Sequence, residues 1–576
     1  MLMRAYEETL KHLLNCYYRE FKHHYMLKKI SDDQYRLKIP CKEENACLLI
    51  NVHLSPRLKS PIWQLPISYQ TVNEQINITP LFAMHLILLA LPEQISLTYL
   101  DDTLRRTINS AEQLAMILAY RQSSLDRMLD VQSNFLLSEQ NHLLGHRLQP
   151  DGKSREGFNK QELIDYSPET QSGFKLHYFI VDCSITDTHS NLDCSVTEII
   201  MRFLKNEPKI TLADNQTLFV THPWQASYLL QQPEIQTYLK AGKILDLGTL
   251  GPCFYATTSV RTVYSPEVDV MFKFSLNIAI TNSVRVNATR ECYRSVAVDV
   301  LARDKLKDVL AGKFPCFSLI TDPAFAGLTV DGKLYEPSIC IVRHNPFSLK
   351  DDVSCIASLT SLHPMQSICR LNQMVAYHAR KDKSSLPVAA VKWLNAYLKC
   401  AIAPVLWLYS QYGIALEAHQ QNLLVRFEDA LPVAGFYRDS QGYYYIHDHP
   451  SLHHVATKEQ LIHLCDGNEA FIDHHFCYYF IVNQLLAVIE ALAIPAEIEE
   501  EILINKVICF LESFSSTYQT NNRFCQYLLT AETLPSKANL LTRLNGLDEL
   551  QAPLERQSVY TKISNPLMAE VYDAAL

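Results

Sequence analysis

TTSVRTVYSPEVDVMFKFSLNIAITNSVRV, residues 257–286, reads as short runs of β-branched and aromatic residues with charges set inside them. On a strand, side chains two apart share a face, which pairs Ser259 with Arg261 and Lys273 with Ser275; Thr281 and Arg285 follow. Arg261, Lys273 and Arg285 stand among apolar residues, where a charge costs free energy unless it is partnered. Asp269 is the acid most obviously available nearby. Forked Arg donors suit carboxylate and phosphate oxygens, and Lys supplies a compact charge. The stretch alone admits two readings: an anionic ligand completes the balance, or the three cations are exposed strand residues and structural ion pairs.

Outward from this stretch, β-rich runs continue over 176–343, among them KLHYFIVDCSI and QTLFVTHPW. Residues 1–135 read as mainly helical, at 7–21, 81–91 and 110–137, with a strand-like alternation over 33–53. The 81–91 run reads as a buried helix. Beyond 390, helices at 391–412 and 471–492 enclose a hairpin-like segment, NLLVRFEDALPVAGFYRDSQGYYYI. Helix first, then sheet, then a mixture predicts an α+β protein of three units, in keeping with 576 residues, which exceed what one core organises.

Composition narrows the function. A formal charge of −9 argues against nucleic-acid binding and mildly favours a cationic small molecule. The 81–91 run is about half of the ~20 residues a bilayer needs, and the N-terminus lacks a secretory signal, so no membrane and a cytoplasmic location are expected. Sixteen cysteines without a CxxC pair indicate reduced thiols. Neither GxxxxGK[ST] nor GxGxxG occurs, so a nucleotide would be held by side chains.

Two further segments carry candidate chemistry. EQNHLLGHRLQPDGKSREGF, residues 139–158, gathers His142, His146, Lys153 and Arg155 around turn residues. YGIALEAHQQNLLV, residues 412–425, precedes Arg438-Asp439; Glu417, His419, Asn422 and Asp439 are oxygen and nitrogen groups of the kind found around Mg²⁺ in phosphoryl transfer. The His-rich stretches 446–454 and 473–475 lack zinc-site spacing. HPWQ, residues 222–225, reads as a strand-to-helix turn whose Trp packs.

Taken in order, GHRLQPDGKSREGF, THPWQ, TTSVRT, KFSLNIAITNSVR, RHNP (343–346), LEAHQQNLLV and FYRDSQG resemble the IucA/IucC family of siderophore synthetases, which act independently of non-ribosomal peptide synthetases. The resemblance implies a cupped hand: a helical thumb (1–165), β-rich fingers (166–347) and a mixed, kinase-like palm (348–576), with ATP and a carboxylic acid meeting between fingers and palm. It implies that His146, Lys153, Ser259, Arg261, Lys273 and Arg285 serve the ATP phosphates and that Asn422 and Asp439 lie near the nucleotide. Glu417 and Asp439 would hold Mg²⁺, and Thr281, Arg285 and His419 would contact the acid; Lys273, Arg285 and His419 are the expected catalytic groups. One departure stands out. The family's GHPxHP loop carries Arg147 and Gln149 here.

The expected activity is ATP-dependent adenylation of a carboxylate of citrate or a related acid, followed by condensation with an amine such as a diamine, with release of AMP and pyrophosphate. Its expected partners are these small molecules and, at most, a second copy of the chain. Rival readings are a kinase-like phosphotransferase, against which the missing glycine-rich loop and HRD motif count, and a non-catalytic binder of citrate or ferric citrate.

Overall fold

The computed structural model describes residues 1–92, 94–205, 207, 210–547 and 558–568. Its fold is α+β. The helix Leu2–Glu20 buries Leu10, Leu13, Leu14 and Tyr17, the three- and four-residue spacing of a one-sided helix, and packs beside Leu97–Arg121. Between these helices runs an antiparallel five-stranded sheet over 26–78, so this part of the chain holds more strand than the expected helical unit. Its strand Cys47–Leu54 buries Leu48, Ile50 and Val52 on one face, the period-two pattern that sequence showed over 33–53.

The helix read over 81–91 spans Pro80–Leu89, where Thr79 accepts from the N–H of Phe82 and Pro80 occupies the first turn. It is only half-buried. Ala83, Met84, Ile87 and Leu88 face the core, while Leu81 and Phe82 are 42% and 45% exposed. Residues 540 and 544, near the far end of the chain, complete the same core.

In the middle of the chain a nine-stranded antiparallel sheet buries a second core, including Phe254, Phe272, Phe274 and Val342. Val270–Phe274 is fully buried and lies centrally, paired to Thr262–Tyr264 on one side and Cys340–His344 on the other. A small sheet joins Arg155–Glu156 to Leu276–Ile280 and Ser283–Arg285, which brings the turn region of 145–158 against this unit.

The third core is built around two long helical runs. Residues 386–412 are continuous helix with a π-helical turn at Leu398–Ile402, ended by Gly413 at φ +69, the left-handed conformation that stops a helix. Glu469–Leu492 is apolar enough to cross a membrane by length and composition, yet 78% of its most apolar window is packed inside the protein. Its π-helical stretch Cys477–Leu485 turns Tyr478, Tyr479 and Asn483 toward the cavity described below. Against these helices lies a four-stranded sheet in which Leu431–Arg438 pairs with Leu423–Glu428 and, in parallel, with Phe317–Ile320.

Gly435 is where that sheet meets the helix. A Cβ there would stand 2.5 Å from the carbonyl oxygen of Cys400 and 3.1 Å from the Cα of Ala401, both backbone atoms. Gly435→Ala is expected to destabilise the protein by about 1–3 kcal/mol through overpacking, seen as a lower thermal and denaturant midpoint. An unchanged midpoint would show that sheet and helix separate at no cost.

Candidate active site

A cavity of about 480 Å³ draws its lining from early, middle and late parts of the chain, and His146, Lys153, Ser259, Arg261, Lys273, Thr281, Arg285, Glu417, His419, Asn422 and Asp439 all line it. The lining runs from His142 to Ser558 in sequence. Ten Lys and Arg side chains face this space against four Asp and Glu, in a chain whose formal charge is −9. Such a local reversal of sign suits a polyanion.

Ser259 and Arg261 do not sit on a strand as expected. They occupy the turn between Ile244–Ala256 and Thr262–Tyr264, where Val260 has φ +66, the N–H of Thr262 donates to Ser259 Oγ (3.1 Å), and Arg261 donates to Asn287 Oδ1 (2.6 Å). A left-handed residue between them reverses the chain and removes the strand alternation. The turn is pinned from another direction: Thr258 donates through N–H and Oγ1 to Glu139, each at 2.9 Å, and the buried Arg438 meets Glu139 at 3.0 Å.

Lys273 is on the central strand and almost wholly buried. Its ammonium lies 3.1 Å from Asp439 Oδ1, while Arg343 is 3.5 Å from the same oxygen and forks onto the fully buried Asp322 at 2.5 and 3.0 Å. Burial alone would raise the Asp439 carboxyl, but the charges of Lys273 and Arg343 outweigh it and hold it well below the usual carboxylate range. Asp439 has φ +107, a backbone region that non-glycine residues adopt only when their surroundings enforce it.

Lys153 lines the cavity, but its ammonium is committed elsewhere: it lies 2.5 Å from Glu169 Oε1 and 2.6 Å from the carbonyl of His142, and Arg155 reaches the same carboxylate at 2.6 Å. Sequence reading missed Glu169. Nothing in its local context marks it, and the partner is set by tertiary packing alone. Arg438, Glu139 and Asn287 were missed likewise, although Arg438 stands inside FYRDSQG beside a residue that was singled out.

On the facing wall the N–H of Gln421 donates to His419 Nδ1 (3.2 Å), so the neutral ring carries its proton on Nε2, 3.8 Å from Glu417 Oε1. Tyr444 donates to the other Glu417 oxygen (2.9 Å), and the Asn422 amide donates to the Glu417 carbonyl (3.3 Å). Burial pushes His419 down to about 4 and His146 to about 3, the latter helped by the neighbouring His419. Glu417, Asp439 and the Asn422 amide oxygen form an oxygen donor set that suits Mg²⁺ when phosphate supplies the remaining ligands. Among the described residues no group of three His, Cys, Asp or Glu is arranged to hold an ion without such help. On the remaining wall Arg285 donates to Thr281 Oγ1 (2.6 Å) and to the carbonyl of Ile280 (3.0 Å).

Residues 134–361 match the IucA / IucC family, and residues 391–552 match the family described as ferric iron reductase FhuF-like transporter. The chain is 31% identical over 599 residues to the spermidine-citrate ligase of Bacillus anthracis, with 98% of each protein covered. The chain belongs to the IucA/IucC family. It is also 32% identical over 575 residues, 97% of each, to the rhizobactin siderophore biosynthesis protein RhbC of Rhizobium meliloti. Its fold superposes on the ATP-bound aerobactin synthetase IucA of Klebsiella pneumoniae with a TM-score of 0.89 at 28% identity, over 98% of this chain and 100% of that one. These relatives make the IucA/IucC protein a ligase of siderophore biosynthesis.

The resemblance puts Gln149 where a GHPxHP loop would carry His. It is buried, donating to Asp151 Oδ1 (2.7 Å) with Asn282 Oδ1 at 3.3 Å, on the side of the cavity that holds Thr281. Gln149→His should leave ATP affinity nearly unchanged in a titration; a large change would place this residue at the phosphates instead.

The two histidines, together with the similarly buried His12, His142 and His222, give a pH dependence with a definite sign. Their folded values lie below the ordinary 6.5, so the unfolded chain takes up protons that the folded rings refuse, and stability falls as pH drops from about 6.5 toward 4. The denaturant midpoint should follow that course and decline less steeply in His146→Gln. A flat profile over this window would mean that none of these rings is shielded from water.

Proposed function

We propose that the protein uses ATP to adenylate a carboxylate of citrate, or of a related polycarboxylic acid, and joins it to an amine. The observation that carries this reading is the excess of cations around one cavity in an acidic chain whose fold matches that of the ATP-bound aerobactin synthetase IucA. In the first step a carboxylate oxygen attacks the α-phosphorus and the bond to pyrophosphate breaks. In the second the amine attacks the acyl carbonyl, AMP leaves, and the nitrogen loses a proton to give the amide.

Lys273, Arg261 and the Ser259 hydroxyl are assigned to the phosphates, where preorganised donors stabilise charge as it builds on the leaving group. Asp439 keeps the Lys273 ammonium in place. Thr281, Arg285 and the Nε2–H of neutral His419 are assigned to the acid, which must be held in line with the α-phosphorus. Mg²⁺ held by Glu417 and Asp439 beside Asn422 would neutralise phosphate charge. The segments 1–165, 166–347 and 348–576 are read as thumb, fingers and palm, a division supported by a cavity whose walls draw on all three. A diamine or polyamine is the favoured nucleophile, supported by the spermidine-citrate ligase relative.

With Mg²⁺ and ATP the purified protein should form AMP and pyrophosphate only when the right acid is supplied, and faster with the amine. ADP as the sole nucleotide product, independent of acid, would overturn the assignment in favour of a kinase. Lys273→Ala should lower ATP consumption with every acid tested. Arg285→Lys keeps the charge but loses the fork, and should weaken citrate binding by roughly 1.5–3 kcal/mol, the worth of a charge-assisted hydrogen bond.

A further inference from the structure

Thr281 is a β-branched residue at φ +52, a conformation that persists only where neighbours over-determine it. Those neighbours come from opposite ends of the chain. Its carbonyl oxygen accepts from Arg106 Nη1 (3.2 Å), on the helix Leu97–Arg121, and from Arg543 Nη2, on Asn539–Leu544. We propose that Arg106 and Arg543 are positioning residues for recognition of the carboxylic acid: their guanidinium groups clamp the turn that presents Thr281 and Arg285. This rests on reading Thr281 and Arg285 as contacts of the acid.

The clamp is itself anchored. Asp151, almost fully buried, lies 3.0 Å from Arg543 and 3.9 Å from Arg106, and its other oxygen accepts from Gln149. Glu156 sits 2.7 Å from Arg106 and belongs to the strand paired with Leu276–Ile280, just before the turn. Asp102 approaches both arginines, at 3.3 Å from Arg106 and 3.9 Å from Arg543. With 11% and 12% of their side chains exposed, the two arginines are fixed by acids on one side, leaving forked donors aimed at one carbonyl on the other. On the cavity side, Thr281 Oγ1 then accepts from Arg285. A shift of the turn would therefore move the Arg285 fork, and acid binding would suffer before phosphate binding does.

The test uses the full chain with citrate and ATP as separate probes in calorimetric titrations. Arg543→Met should weaken citrate binding about tenfold or more while ATP affinity stays within about twofold, and Arg543→Lys should fall between the two, as expected for a forked charge-assisted contact. Amide hydrogen exchange over 279–285 should quicken in Arg543→Met. Normal citrate binding in a folded Arg543→Met protein overturns the clamp, as does an equal loss for citrate and ATP. Arg285→Lys separates the two levels of the argument: if it loses citrate and Arg543→Met does not, only the clamp fails. If both bind citrate normally, the placement of the acid at this turn fails and takes the clamp with it. Should Arg543→Met not fold, Arg106→Met removes the other donor and carries the same expectations.

Discussion

Arg438 and Asp439 are neighbours in sequence that pull in opposite directions, and the cavity depends on that divergence. Arg438 ends a strand and reaches back to Glu139, Thr258 and the carbonyl of Gln421. Asp439, turned by its φ of +107, faces Lys273 and Arg343. Two consecutive side chains thus tie the third core to a short helix from the first part of the chain and to the central strand of the middle sheet. Buried ion pairs add little net stability over apolar packing, whereas breaking one strands a charge at about 3–5 kcal/mol. Their value here is register: the walls of the cavity close at one relative setting, because any other leaves the buried Glu139, or Asp439 at the cavity wall, without its cation.

The same economy governs the cations. Lys153 and Arg155 balance Glu169; Arg343 balances Asp322; Lys273 shares Asp439 with Arg343. Each pairing fixes a long side chain at the edge of the cavity without neutralising the space as a whole, since cations there outnumber acids. Fixed donors of this kind need no reorganisation when an anion arrives, which is the physical content of preorganisation. Exposed charges more than about 10 Å away are screened at ordinary salt, so the negative surface does little to cancel the field inside.

Much of this was legible in the sequence. Ordered short motifs pointed to the family, and the eleven residues taken from them face one cavity, because glycine turns and charged residues inside apolar runs leave local marks. The α+β class followed from period-two and period-3.6 patterns, as in 47–54 and 2–20. Illegible were features decided at long range. Ser259 and Arg261 read as strand because their residue types suit one, and only the left-handed Val260 breaks the run. Of the sheet over 26–78 only the stretch 33–53 shows its alternation; the edge strands Met26–Lys29 and Gln75–Ile78 are short and mostly exposed, which leaves no apolar period to read. Glu139, Glu169 and Arg543 carry no local signature, since each is defined by a partner more than a dozen positions away.

The π-helical stretch in Glu469–Leu492 places Tyr478, Tyr479 and Asn483 on the cavity wall, with the Asn483 amide 2.8 Å from His146 Nε2. A π-helical turn is an α-helix with a residue to spare, and each residue of an α-helix turns the chain by about 100°. Loss of a single residue from this stretch would let it close as a regular α-helix. Because a π-helical turn absorbs the rotation of its extra residue, the flanking turns keep their facing and the side chains of 477–485 are the ones re-faced. A change of one residue in length inside 477–485 would therefore alter which side chains meet the cavity while the strands stay in place.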